Sequence, residues 1–527
     1  MNPQAVDLNS VRREERLIAS LLHECAYPHP VDKMHLLETH ISWVILTGRF
    51  AYKIKKPIKL EFLDFSTLER RKFFCNEELR LNRRWAPELY LDVVPICGDF
   101  EKPVVGGDGT PIEYAVRMLQ FPQAAQLDEQ LHAGLLLDAD MIELAEMIAA
   151  QHGTAAVVEQ LDSKDAIESI RHPMLANIEH LKMHLGCDEL QGLSSWTSKN
   201  LQALQATLIL RQKDGFIREC HGDLHLRNLV RLPSGIVAFD CVEFSAELRN
   251  VDVISDVSFL VMDLISRDRQ DLAYVFINRY LECTGDYAGM AVFGLYYVYH
   301  ALIRAKVAAI RSVERSGEVG GQHSSEEIAH CCSVARRWIV SRRPFLIAMH
   351  GFSGSGKTSL SQELISRLPA IRVRSDIERK REYGLEETER SGARVGKGIY
   401  DPQARTNIYE TLANAAEVSL RLGQNVIVDA AFLSLADRQH FHALAKRLNA
   451  DFLIVDTCAE PDELRRRVRL RQRDAGDASE ADANVLQYQF ENTEPLGPEE
   501  LEWTITVATD TGIDANTVVE QIGAARR

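Results

Sequence analysis

The sequence has ten scattered cysteines, with no Cys-x-x-Cys pair and no companion His spacing. A zinc site is therefore not expected, and reduced thiols in a cytoplasmic setting are the simpler reading. Long apolar runs are also missing. The longest, "GMAVFGLYYVY" from Gly289 to Tyr299, falls short of the roughly 18 residues a spanning helix needs and reads as a buried helix. The opening "MNPQAVDLNSVRREERLIASLL" carries charges where a secretion signal needs an apolar stretch, so no membrane passage is expected. There is no basic surplus: 61 Lys and Arg face 76 Asp and Glu, for a net charge of −15. That balance disfavours broad, sequence-blind binding to nucleic acid or anionic membrane, although a local basic patch could still act. No internal repeat is visible.

What remains is a globular composition, 46% hydrophobic and 26% charged, over 527 residues, which is too long for one ordinary core. A seam rich in Gly, Ser and charge, "RSGEVGGQHSSEE", covers residues 315 to 327. Before it come the β-rich segments "SWVILT", "FAYKIKK", "YLDVVPI" and "IEYAVRM", interrupted by a charged helical stretch from Ser66 to Arg84. Helical patterns then dominate from Leu137 to Arg311, broken by "NLVRL" and "IVAFD". After the seam, one helix is expected over Glu326 to Ser341. The strands "FLIAMH", "AIRVRSD", "NVIVDAAF", "DFLIVDTC" and "EWTITVA" follow, each but the last succeeded by a helical pattern. Short apolar strands separated by helices predict a parallel sheet covered on both faces. The expected domains are residues 1–314, a linker and connecting helix over 315–343, and 344–527.

"GFSGSGKT", Gly351 to Thr358, fits G-x-x-x-x-G-K-[ST], with an apolar strand before it and an amphipathic helix starting at Lys357. Such a loop curls backbone N–H groups around phosphates at a helix N-terminus. The expected nucleotide set is Gly351, Ser353, Gly354, Ser355, Gly356, Lys357, Thr358 and Ser359, with Lys357 on the β- and γ-phosphates and Thr358 on Mg²⁺. Asp429 ends "NVIVD" where a carboxylate can orient Mg²⁺ or its water; capping the next helix is the alternative. Asp376, in "VRSDIERK", suits a general base on an acceptor hydroxyl. Arg379 lies three residues on, with a surface ion pair as its alternative. "LRRRVRLRQR", residues 464 to 473, carries six arginines. Arg467 and Arg471, four apart, can face one side of a lid helix and neutralise a transferring phosphoryl group, or the stretch is a solvated face.

"HGDLHLRN", residues 221 to 228, has the H-x-D-x-x-x-x-N spacing of a kinase catalytic loop. In-line transfer from ATP needs a carboxylate at the attacking hydroxyl and oxygen ligands for Mg²⁺. Asp223 takes the first role and Asn228 the second. Asp240, in "IVAFDCVEF", stands as a further metal ligand, and "FAYK" has the V-A-I-K layout, with Ala51 under the adenine and Lys53 on the phosphates. Glu78 in "CNEELRLN" is the expected helix partner of Lys53, with Glu77 next in line. His225 reads as a loop histidine, and the Cys331–Cys332 pair as core packing.

The stretch from Leu36 to Arg311 resembles the aminoglycoside phosphotransferase branch of the kinase-like fold, which includes choline and sugar kinases. "HGDLH", with Gly after the first His, is that branch's form. The resemblance implies a bilobal α+β domain and a bracing carboxylate for the catalytic loop at Asp252 or Asp256 in "VDVISD". Two departures are the missing G-x-G-x-x-G before Lys53 and Cys241 after Asp240. From Phe345 onward the chain resembles the P-loop kinases of small metabolites or polynucleotide 5′-hydroxyls, an α/β domain in which Asp376 and Arg379 would handle the acceptor. Together the halves resemble a bacterial fusion of an aminoglycoside phosphotransferase-like domain with an AAA-type ATP-binding domain. The implied activity is bifunctional, ATP- and Mg²⁺-dependent phosphorylation of small-molecule hydroxyls: a sugar, amino sugar or aminoglycoside-like acceptor in the first half, a small metabolite in the second. A polynucleotide 5′-hydroxyl kinase, or RNA-end processing factor, and a nucleotide-sensing regulatory ATPase are the alternatives.

Overall fold

A computed structural model describes residues 8–60, 63–158, 163–185, 187–314, 321–340, 342–392, 401–471, 479–510 and 512–525. They fall into two compact units that do not follow chain order. The first comprises residues 1–136, 150–160 and 212–256, and the second 137–149, 161–211 and 257–527. Segments 137–149, 161–211 and 257–314, placed with the first half on sequence grounds, thus cluster with the second.

In the first unit, strands β1 (His35–Glu38), β2 (Ser42–Leu46), β3 (Phe50–Lys55), β4 (Tyr90–Gly98), β5 (Pro103–Val105) and β6 (Pro111–Leu119) form one antiparallel sheet. Its order is β1-β2-β3-β6-β4-β5. Alternation along β3 sorts the side chains. Tyr52 and Ile54 join a core with Ile45, Ile96 and Ala115. Lys53 and Lys55 take the other face, towards helix α1 (Leu68–Trp85). Thr67 caps that helix by accepting from the Arg70 N–H at 3.3 Å. Its buried stripe, Arg71, Cys75, Glu78, Asn82 and Trp85, has the 4-3-4-3 spacing of a single helix face.

Besides the short antiparallel pair Lys59–Leu60 with Leu63–Asp64, two antiparallel ribbons complete this unit. Leu229–Leu232 pairs with Gly235–Ala238, as the sequence suggests for "NLVRL" and "IVAFD", and Ile217–Glu219 pairs with Asn250–Asp252. Glu219 ties its ribbon to α1: its carboxylate meets Arg80 at 2.8 Å, Arg84 at 3.1 Å and Arg249 at 3.2 Å.

In the second unit, helix α2 (Gln270–Thr284) precedes Met290–Glu314, which contains the long apolar run as a buried helix. The connecting helix runs from Gly321 to Ile339, so it starts and stops earlier than expected; residues 315–320 of the seam lie outside the described residues. Strands β7 (Phe345–His350), β8 (Ala370–Arg374), β9 (Asn425–Asp429), β10 (Asp451–Cys458) and β11 (Thr504–Ala508) make a parallel sheet in the order β8-β9-β7-β10-β11. Helices α3 (Lys357–Arg367), α4 (Ser375–Glu382) and α5 (Pro461–Arg471) follow β7, β8 and β10. Unlike the sequence reading, the last strand is also followed by a helix, Ala515–Ala525. Among the described residues, no helix is long and apolar enough to cross a membrane.

The Glu219 clasp sets a stability test. Hydrogen bonds from Arg80 hold its carboxyl at about 2 against the opposing effect of burial, with Arg84 and Arg249 adding to the pull. A lowered pKa contributes stability above the ordinary carboxylate value, and that stability is lost as pH falls towards 2. Glu219→Gln is expected to lower the unfolding free energy by about 1–3 kcal/mol at neutral pH. Urea unfolding at stepwise lower pH should show the gap to wild type closing.

Candidate active sites

The first site is built where β3, α1 and the two ribbons of the first unit converge. Lys53 Nζ donates to Glu78 Oε1 at 2.7 Å and also pairs with Asp240. Lys55, two residues on and therefore on the same face, donates to Glu78 Oε2 at 2.7 Å and pairs with Glu243. Glu78 is fully buried and shared between two ammonium groups. Burial pushes its pKa up, but the two lysines outweigh burial and hold it at about 2. Burial likewise opposes the charge on Lys53, yet Asp240, Glu78 and Glu243 keep its pKa well above the ordinary value. Glu77 points elsewhere, pairing with Arg80 at 2.9 Å.

Asp240 has φ +62°, a left-handed backbone uncommon outside glycine, though tolerated by Asp. Its N–H donates to Tyr90 Oη at 3.0 Å, and the next N–H, of Cys241, donates to Asn82 Oδ1 at 2.9 Å. The residue after Asp240 is thus a buried thiol whose backbone is anchored from α1.

Asp256 braces the loop of residues 221–228, accepting from the N–H groups of His221 at 2.8 Å and Gly222 at 2.9 Å. Asp252 instead accepts from the Ile254 N–H at 3.0 Å, at the head of the following helix. Gly222, at φ +83°, is required: a Cβ would lie 2.7 Å from the Leu248 carbonyl oxygen. His221 Nδ1 accepts from the Asp223 N–H at 3.3 Å, which puts its hydrogen on Nε2, facing the Phe239 carbonyl at 3.0 Å. Burial keeps this imidazole below its usual pKa, hence neutral. Asn228 Nδ2 donates to the Asp223 carboxylate at 3.0 Å and its carbonyl at 2.9 Å. The Phe239 N–H donates to the Asn228 carbonyl at 2.9 Å, which brings Asn228 beside the Asp240 segment. His225 Nε2 lies 3.4 Å from Asp223. The oxygens of Asn228 and Asp240 are the hard donors that Mg²⁺ prefers.

Sequence reasoning missed Lys55, Glu243 and Asn82. The i,i+2 spacing of Lys53 and Lys55 in "FAYKIK" was the available signal.

The second site sits at the carboxyl ends of β7, β8 and β9, in a cleft of about 960 Å³ within the second unit. Central strand β7 delivers the glycine loop there, where such sheets bind ligands. Gly351, Gly354 and Gly356 have φ of +135°, +84° and +93°. A Cβ on Gly351 would collide with the Thr457 carbonyl, so the cradle exists only with glycine. Lys357 Nζ donates to the carbonyls of Gly351 at 2.8 Å and Phe352 at 2.7 Å. Burial brings its pKa down to about 8 despite the opposing carboxylates of Asp429 and Asp376. Ser353, Thr358 and Ser359 line the cleft. The Ser353 N–H donates to Gln489 Oε1 at 2.8 Å. Ser355 does not face the cleft: its hydroxyl bonds Thr457 Oγ1 at 2.7 Å and its N–H the Phe352 carbonyl at 3.1 Å.

Asp429 is buried and accepts from Ser361 Oγ at 3.1 Å. With Thr358 it offers an all-oxygen set that fits Mg²⁺. Asp376 receives Arg379 at 2.8 Å. Burial would raise its pKa, but Arg379, Ser479, Arg471 and Arg374 lower it overall. A lowered carboxylate orients a hydroxyl better than it strips one. The α5 arginines divide. Arg465 and Arg466 pair with Asp462 and Glu463 on the outside, while Arg467 and Arg471 line the cleft. Arg467 is spent on Gly354 O at 3.3 Å, Thr509 Oγ1 at 2.9 Å and Thr509 O at 2.7 Å, so it holds the loop. Arg471 lies close enough to Lys357 and Asp376 to act on both charges. Residues 472 and 473 of the arginine stretch lie outside the described residues.

Residues 346–496 match the AAA domain family. With the phosphate loop, that match implies nucleotide binding in the second half. An uncharacterized protein of Mycobacterium tuberculosis is 27% identical over 430 residues, 80% of this chain and 83% of its own. Choline kinase from Cryptosporidium parvum aligns with 61% of this chain and 96% of its own, at 12% identity and a TM-score of 0.38. A gluconokinase from Sinorhizobium meliloti aligns with 35% of this chain and 93% of its own, at 18% identity and a TM-score of 0.24. The first unit is an antiparallel sheet with helices, and the second half is a P-loop domain on a five-stranded parallel sheet.

Proposed function

We propose that this chain is a bifunctional phosphotransferase that moves the γ-phosphoryl group of ATP onto small-molecule hydroxyls at two separate sites. Residues 1–314 and 344–527 are the two functional modules, each holding one lysine, one metal-facing carboxylate and one acceptor-side aspartate. The acceptor in the first is a sugar, amino sugar or aminoglycoside-like alcohol, and in the second a small metabolite. The observation that carries the reading is Lys53 bridging Glu78 and Asp240 while Asn228 clasps Asp223.

In the first module, Lys53 holds the α- and β-phosphates, kept aimed by Glu78. Asp223 accepts the acceptor's hydroxyl hydrogen as its oxygen bonds to phosphorus and the bond to the ADP oxygen breaks. In the second, the glycine cradle and Lys357 hold the phosphates, Asp376 orients the acceptor, Arg379 steadies Asp376, and Arg471 faces the spreading charge. Mg²⁺, bound through Asn228 and Asp240 in one site and Thr358 and Asp429 in the other, would neutralise phosphate charge during transfer.

Two measurements test this. With γ-labelled ATP and a panel of sugars, amino sugars, aminoglycosides, sugar acids and nucleosides, Asp223→Ala should remove one activity by about 10²–10⁴-fold. Lys357→Ala should abolish the other and leave the first. Full transfer in both variants overturns the assignment. The second test is pH. Phosphate binding needs Lys357 charged, and its pKa is about 8. ATP affinity at the P-loop should therefore hold steady below that value and fall by up to about tenfold per pH unit above it. Calorimetry in a Lys53→Ala background isolates that site.

A further inference from the structure

Strand β8 is an edge of the parallel sheet, and helix α2 covers it. Asn278 does so as a strand residue would. Its Nδ2 donates to the Ala370 carbonyl at 2.9 Å, and its Oδ1 accepts from the Arg372 N–H at 2.5 Å. One helical turn further on, Glu282 is buried against the same strand. Glu282 Oε1 accepts from Arg372 Nε at 2.9 Å and Nη2 at 2.7 Å, and Oε2 lies 3.7 Å from Arg374. Arg372 and Arg374 are two apart in β8, so both reach one side.

Both arginines lead to Asp429. Arg372 Nη1 donates to Ser361 Oγ at 3.3 Å, and Ser361 donates to Asp429 Oδ2 at 3.1 Å. Arg374 lines the cleft with its Nε 3.9 Å from the same Asp429 oxygen, and Glu387 lies 3.6 Å from it on the other flank. We propose that Glu282 is a positioning residue of the P-loop site: it anchors Arg372 and Arg374 so that one Asp429 oxygen is held by protein while the other stays free for the cation. The proposal rests on the reading of Asp429 as the metal-facing carboxylate. It makes the second catalytic module incomplete without a helix that precedes its phosphate loop by about seventy residues, as the numbering of Glu282 and Gly351 shows.

Without Glu282, the two strand arginines lose their shared counter-ion, as does Arg279 at 3.7 Å on the same helix, and Asp429 is the nearest remaining carboxylate for Arg374 apart from Glu387. Arg374 then competes with Mg²⁺. The test uses full-length protein carrying Lys53→Ala, which silences the first module, and titrates ATP calorimetrically with and without Mg²⁺. Glu282→Gln should bind metal-free ATP within about twofold of its parent and require at least about tenfold more Mg²⁺ for the metal-dependent gain. Asn278→Ala loosens the same helix without touching the charges, and should lower the melting temperature while leaving the Mg²⁺ requirement unchanged. If Glu282→Gln does not fold, Glu282→Gln with Arg372→Met removes the buried pair together and should show the same raised requirement. An unaltered Mg²⁺ requirement in the folded Glu282 variant overturns the proposal. Intact ATP binding in Lys357→Ala, or a wild-type Mg²⁺ requirement in Asp429→Asn, would instead overturn the reading of the site beneath it.

Discussion

A buried carboxylate held between two cations is the constraint on which this structure depends. Glu78 lies between Lys53 and Lys55, and Glu282 between Arg372 and Arg374. An isolated buried charge is unfavourable, so the members of each cluster stabilise one another. In each case the two cations come from alternate positions of one strand, and the carboxylate from a helix laid across it. Pleat geometry thus does what no single residue could: it delivers two like charges to one place and leaves room for a counter-ion between them.

The two clusters differ in what they face. Around Glu78, Lys53 also meets Asp240, whose backbone is left-handed. Strain of this kind persists only where neighbours over-determine it, and here Tyr90 and Asn82 hold the two adjoining N–H groups. Around Glu282, the arginines reach Asp429, through Ser361 on one path and directly on the other. One arrangement orders Lys53; the other orders Asp429.

Local pattern explains what could be read from the sequence. The glycine loop, the spacing of Asp223 and Asn228, and the alternation of strands and helices after residue 344 all depend on neighbours within a few positions. They appear in the structure with small boundary shifts. Partners separated by long stretches were out of reach: Glu243 for Lys55, Glu282 for Arg372 and Gln489 for the Ser353 N–H. Some signals were present but unread. Glu78 shares the stripe of Cys75, Asn82 and Trp85, which separates it from Glu77. The pairs in "FAYKIK" and "IRVR" lie at strand spacing. No pattern shows that Ser355 turns inward to Thr457, or that Arg467 is committed to the loop rather than to a substrate.

The hydrogen bonds inside the phosphate loop have a consequence of their own. Lys357 rests on two loop carbonyls, and Gln489 occupies one loop amide. An incoming phosphate would therefore meet an already shaped receptor and exchange one set of partners for another. Little ordering entropy remains to be lost on capture, so the strength of the grip is decided by the difference between old bonds and new.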